Sequence, residues 1–163
     1  MARIDVQDDL GSWMQLQPDM GAGLVAYSEA VYGKARLPLR VREIARMRIA
    51  QINQCEVCRN ARQEHGPGQG VDEALYAGVS GWRTAAGYSE RERLAAEFAE
   101  RFALDHVAMR ADEAFWQRFR AAYSDAEIVE LTMSVALWLG AGRAMRVLDV
   151  GQACALTLQS PAA

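Results

Sequence analysis

The chain has 163 residues and a mass of 18.0 kDa, the size of one domain that buries a sizeable core without a disulfide or metal staple. Apolar residues make up 51% and charged residues 24%, which excludes disordered and collagen-like classes, and a net charge of −3 argues against a dedicated nucleic-acid binder. No uninterrupted apolar stretch reaches membrane-spanning length and the opening MARIDVQDDLG lacks an apolar signal core, so a cytoplasmic protein without membrane partners is expected.

Strand signals are weak and helical periodicity recurs, so the sequence predicts one all-α domain over residues 1–163. The prolines, Pro18, Pro38, Pro67 and Pro161, fall near the ends of helical segments. The first predicted helix covers residues 21–32. The next covers 39–53, with Val41, Ile44, Ala45, Ile49 and Ile52 as its apolar stripe and Arg42, Arg46 and Arg48 on the other face. A short helix is expected over 56–64, then a breaker loop over 65–70 (HGPGQG) and a short helix over 71–77 that ends at Gly78.

Ser89 and Glu92 have capping-box spacing and open a predicted helix over 90–104, with Leu94, Phe98 and Phe102 facing the core. A helix over 112–123 carries Phe115, Trp116 and Phe119. A second box, Ser124 with Glu127, starts a long apolar helix over 125–139. Gly140-Ala141-Gly142 reads as an interruption, after which helix resumes over 143–156 and residues 159–163 fray. A shift of 84 residues places Glu43 on Glu127, Arg59 on Arg143 and Arg62 on Arg146. A duplicated helix pair and two amphipathic helices of similar composition both account for it.

The chemistry concentrates at Cys55-Glu56-Val57-Cys58. Cys55, Cys58 and Cys154 are too few for a disulfide framework, and with no export signal the C-x-x-C pair favours a reducing cytosol and a catalytic or sensing disulfide. A cysteine at a helix N-terminus has a lowered pKa and more nucleophilic thiolate. Two intervening residues set the sulfurs about one turn apart, so that one can attack and the other resolve. Arg59 and Arg62 follow Cys55 and Cys58 by four residues, on the same helical face, and favour thiolate. Two other readings stay open. Zinc needs four ligands, and only Cys154, His65 and His106 could complete them; the pair could also be buried structural thiols. Cys154 reads as core in an apolar helix. Trp13, Trp82 and Trp116 read as core or interface, and Trp138 as lying near a subunit interface or the thiol pocket.

The segment resembles the carboxymuconolactone decarboxylase superfamily, and within it the alkylhydroperoxidase-D-like (AhpD-like) branch. That branch carries a Glu, then C-x-x-C twelve residues later, and usually a His four residues after the second Cys; here Glu43, Cys55 and Cys58 match. The likeness covers about 35–150, including the SERERL helix start at 89–94 and YSDAEIVEL at 123–131. The resemblance implies an all-helical fold assembled as a trimer or hexamer, and a thiol peroxidase or thiol-disulfide oxidoreductase without cofactor or metal. It implies a hydroperoxide substrate and a thiol or dithiol reductant. It also implies that Cys58 becomes the sulfenic acid, that Cys55 resolves it to a disulfide, and that the Glu and His relay protons.

Arg62 occupies the place of the relay His. Arginine keeps its proton and cannot shuttle, whereas histidine exchanges one near neutral pH. If the chain reverses near Asn53-Gln54, a Glu43–Arg62 ion pair is expected. His65 is then either the substitute shuttle or a solvated residue at a helix end. Two other function classes are a non-catalytic redox-sensing or binding oligomer and a lactone decarboxylase-like enzyme; the cysteine pair argues against the second.

Overall fold

Apolar side chains at helical spacing fold, in the computed structural model, into α1 (Ser12–Gln15), α2 (Pro18–Gly33), α3 (Leu39–Asn53), α4 (Glu56–Asn60), α5 (Glu73–Gly78), α6 (Glu90–Leu104), α7 (His106–Ala111), α8 (Glu113–Ala122) and α9 (Asp125–Leu148). Two-residue strands β1 (Arg62–Gln63) and β2 (Thr157–Leu158) pair in parallel. The structure describes residues 2–7 and 9–160, so Pro161 and the expected fraying at 161–163 lie outside the described residues.

The fold is all-α, and α3 is its axis. Pro38 stands at its N-cap, and eleven of its fifteen residues are buried, so it is enclosed on nearly every side. Val41, Ala45 and Ile49 join Leu94 and Phe98 of α6, Phe115 and Phe119 of α8, and Leu131 and Val135 of α9 in the larger core. Ile44 and Met47 face the other way, onto Leu75, Tyr76, Val79, Trp82 and Ala96. The face expected to be polar is therefore not solvated: Arg42 and Arg46 are 2% and 3% exposed. Hydrogen bonds make this possible. Arg42 Nη2 donates to the Val31 carbonyl at 2.8 Å, and Arg46 is paired as described below.

Both capping boxes form. Ser89 accepts from the Glu92 N–H while Glu92 reaches back to the Ser89 N–H, and Ser124 and Glu127 repeat the arrangement. Asp72 and Asp112 cap α5 and α8 through the N–H groups of Leu75 and Phe115.

Four expectations need correction. The helix expected over 56–64 stops at Asn60, because the Arg62 and Glu64 N–H groups donate to the Leu156 and Leu158 carbonyls at 3.1 and 2.9 Å. The interruption at Gly140-Ala141-Gly142 does not exist: α9 runs through it, since its turn-to-turn bonds outweigh the modest cost of glycine in a packed helix. That helix ends at Asp149, in the left-handed region at φ 54°, so residues 149–156 are not helical. Cys154 is accordingly half-buried and outside any helix. Helix α7 was not expected from the pattern. By length and composition α9 could cross a membrane, but its inner face, from Leu131 through Val135 to Trp138, packs into the core.

Candidate thiol site

Gln54, in the left-handed conformation at φ 53°, turns the chain sharply out of α3. The Cys55 N–H still donates to the Ala50 carbonyl at 3.2 Å, and Cys55 becomes the N-cap residue of α4. Gln152, from the tail, accepts from the Glu56 N–H at 2.9 Å. Cys55 and Cys58 are joined in a disulfide with their Cα atoms 5.3 Å apart, and Cys154 is free. The two sulfurs differ in access: Cys55 is 0% exposed, whereas Cys58 is half-buried. Among the described residues no group of three or more His, Cys, Asp or Glu side chains could hold a metal ion.

A buried polar network supports α4 from below. Glu43, 1% exposed, accepts from Arg46 Nε and Nη2 (2.9 and 2.8 Å), Gln63 Nε2 (2.7 Å) and the Tyr76 hydroxyl (2.8 Å). Burial pushes the Glu43 carboxyl up, but the Arg46 charge and these hydrogen bonds outweigh it, and the net shift is downward. The group is a fixed carboxylate at neutral pH. Arg46 in turn donates from Nη1 to the Cys58 carbonyl at 2.6 Å and from Nη2 to the Ala61 carbonyl at 3.2 Å. A cation thus satisfies carbonyls at the C-terminal end of α4, where the peptide dipoles favour positive charge.

The other site residues lie elsewhere. Because α4 ends before it, Arg62 does not share a helical face with Cys58. Its guanidinium grips Glu73 (2.6 and 3.0 Å) and lies 4.4 Å from the Tyr76 ring centroid. The expected Glu43–Arg62 pair is therefore replaced by two separate pairs, Glu43–Arg46 and Arg62–Glu73. Arg59 pairs with Glu56 at 3.2 Å on the surface. His65 is exposed in the turn after β1, rather than at a helix end.

Cys58 opens onto an apolar cavity of about 190 Å³ between α2, α4 and α9. Leu10, Trp13 and Met14 roof it from the N-terminal segment, and Leu156 and Leu158 from the tail. Tyr32, Arg46 and Trp138 also line it, so Trp138 belongs to the thiol pocket. Gly142 makes the close approach of α9 possible: a Cβ there would lie 2.7 Å from Asn53 Nδ2 and 3.5 Å from Cys58 Sγ.

Sequence reasoning missed Arg46, Gln63, Tyr76, Tyr32 and Gly142. Only Arg46 carried a usable signal, its i,i+3 spacing from Glu43. A solved structure from Agrobacterium tumefaciens has a TM-score of 0.74 to this chain, covering 100% of both at 20% identity. That protein is of unknown function and is proposed to be an antioxidant defence protein, AhpD. The likeness is one of fold. A search of curated protein sequences finds no match. The carboxymuconolactone decarboxylase family profile matches residues 18–101, more than half of the chain, and includes Glu43, Cys55 and Cys58. With more than half of its length so matched, the chain belongs to the carboxymuconolactone decarboxylase family.

Proposed function

We propose that the protein is a thiol-dependent peroxidase that reduces hydroperoxides with its C-x-x-C pair and is returned to the dithiol by a thiol or dithiol reductant. One observation carries this reading: Cys58 faces an apolar pocket while its partner Cys55 is sealed behind it. In the reduced protein the Cys58 thiolate attacks the terminal oxygen of the hydroperoxide. The O–O bond breaks, an alcohol leaves, and Cys58 becomes a sulfenic acid. The Cys55 thiol then attacks that sulfur, expels water and forms the disulfide. Glu43 acts as a fixed anion that holds Arg46, and so the end of α4, in place. Arg62 and His65 stand outside the pocket lining. Recovery of the dithiol suits a reducing compartment, which fits a cytoplasmic location.

Stopped-flow oxidation of the reduced protein by an organic hydroperoxide tests the reading. Wild type is expected to yield one equivalent of alcohol and the Cys55–Cys58 disulfide, with Cys154 still reduced. Cys55→Ser should complete one turnover and stop at a sulfenic acid that dimedone traps, and Cys58→Ser should be inert. Inert wild type, or a fully active Cys58→Ser, would overturn it.

We also propose that the protein is a homo-oligomer, a trimer or hexamer. The outer face of α9 presents Ala126, Val129, Met133 and Ala136 at alternating spacings of three and four, with Val147 eleven residues further on, a seam suited to another helix. Val129, Met133 and Val147 are 57%, 52% and 72% exposed. Light scattering is expected to give a multiple of 18.0 kDa, and Met133→Glu a smaller species. An 18.0 kDa mass independent of concentration would contradict the proposal.

A further inference from the structure

Hydrogen-bond donors without acceptors gather in the Cys58 pocket. Its walls are mainly apolar, yet the indole N–H groups of Trp13 and Trp138 line it without an acceptor of good geometry. Buried N–H groups are nearly always paired, so two orphans in one cavity indicate a place for an acceptor that a ligand brings. Tyr32, on α2, adds a third donor. Its phenol oxygen faces the Trp138 indole N–H, in a contact that falls short of good hydrogen-bond geometry, and lies within the field of Arg46. The charge of Arg46 is already matched by Glu43 at 2.8 Å, so the pocket holds no net cation to attract an anion. A dry cavity of about 150 Å³ holds benzene. At about 190 Å³ this one takes a benzene ring with a short side chain.

We propose that Tyr32 and Trp138 form a donor clamp for the oxygen of a neutral, apolar hydroperoxide beside Cys58, with Tyr32 protonating the departing alkoxide. The inference rests on the peroxidase reading and adds its substrate class and its acid. The Cys58 thiolate takes the terminal oxygen as the O–O bond breaks: sulfur is oxidised to the sulfenic acid and the hydroperoxide is reduced. The alkoxide takes the phenolic proton and leaves as the alcohol, and Tyr32 recovers a proton from water that then enters. Trp138 cannot give up its proton and serves to orient the same oxygen. Burial raises the phenol pKa, so Tyr32 keeps its proton at neutral pH until an alkoxide, a far stronger base, forms beside it. This acid occupies no position in the C-x-x-C segment, where Arg62 cannot act.

Two measurements test the clamp separately from the peroxidase reading. The first is binding of 2-phenyl-2-propanol, a non-reacting neutral alcohol, to reduced Cys58→Ser, read by tryptophan fluorescence. Saturable binding is expected, weakened about tenfold or more by adding Tyr32→Phe, and absent for benzoate. The second is the rate of Cys58 oxidation by cumene hydroperoxide. General acids typically contribute about 10²–10⁴-fold, so Tyr32→Phe should slow oxidation by about 10²-fold. Iodoacetamide should alkylate Cys58 at the wild-type rate, and imidazolium buffer should partly restore oxidation, which a merely structural role of Tyr32 would not allow. If wild type turns over and Tyr32→Phe matches it, the clamp is overturned and the peroxidase reading stands. Tyr32-dependent alcohol binding to a protein whose wild type ignores hydroperoxides removes the peroxidase reading and, with it, the acid role of Tyr32, and leaves only a neutral-oxygen binding site. Binding of benzoate as tight as that of the alcohol overturns the substrate class.

Discussion

Arg46→Ala is expected to lower the unfolding free energy by about 3–5 kcal/mol, the usual cost of stranding one member of a buried ion pair. For a chain of this size that corresponds to a melting temperature lower by roughly 6–20 °C. The variant leaves Glu43 buried with only Gln63 and Tyr76 as donors and strips the Cys58 and Ala61 carbonyls of theirs. The pH dependence provides a sharper test. In wild type the Glu43 carboxyl lies below its ordinary value of 4.5, because Arg46 and the hydrogen bonds outweigh burial. That contribution is present above the unfolded value and lost as the pH falls through the folded one. In Arg46→Ala burial acts with less opposition and raises the carboxyl. The sign then reverses, and the variant loses stability as the pH rises above about 4.5. Urea denaturation at several pH values reads both the size and the slope. A loss below about 1 kcal/mol, or a slope like that of wild type, would show that the pair does not carry the site.

What the sequence disclosed follows the range of the forces involved. Helix α3 was legible to its last residue because Pro38 sets its start and its apolar period is local. The boxes at Ser89 and Ser124 were legible because a cap spans only three residues. The β1–β2 pair was hidden: Arg62 and Gln63 are too short to show a period, and Thr157 and Leu158 lie near the other end of the chain. Hiding it also hid the end of α4, and with it the true partner of Arg62. The burial of Arg46 was hidden because a charged side chain reads as solvated until its partners are known. Glu43, Cys55 and Cys58 were found by spacing. Trp138 was placed near the thiols from its apolar run, but Tyr32 and Leu156 share a cavity with Cys58 only through the packing of α2 and the tail, so the rest of the pocket was not legible from the C-x-x-C segment.

Two glycines separated by a single alanine in α9 are expected to respond to alanine substitution with opposite signs. At Gly140 a Cβ meets nothing within 4 Å, and the position is exposed, so Gly140→Ala should stabilise the helix by up to about 1 kcal/mol through reduced chain entropy. At Gly142 the same atom would lie 2.7 Å from Asn53 Nδ2. Asn53 is held in place: Nδ2 donates to the Trp138 and Leu139 carbonyls at 3.2 and 3.1 Å, and Oδ1 accepts from Arg143 Nε at 2.9 Å. The clash can be relieved only by breaking those bonds or by parting α9 from the end of α3. Overpacking of this kind costs about 1–3 kcal/mol, enough to exceed the propensity gained. Because Asn53 is the last residue of α3 and Cys55 follows at the turn, strain there reaches the thiols. Gly142→Ala should therefore melt lower than wild type and change the rate at which reduced Cys58 is alkylated, while Gly140→Ala should melt higher at the wild-type alkylation rate. Equal shifts in both variants would mean that helix propensity alone governs this stretch, and that α9 does not press on the thiol site through Asn53.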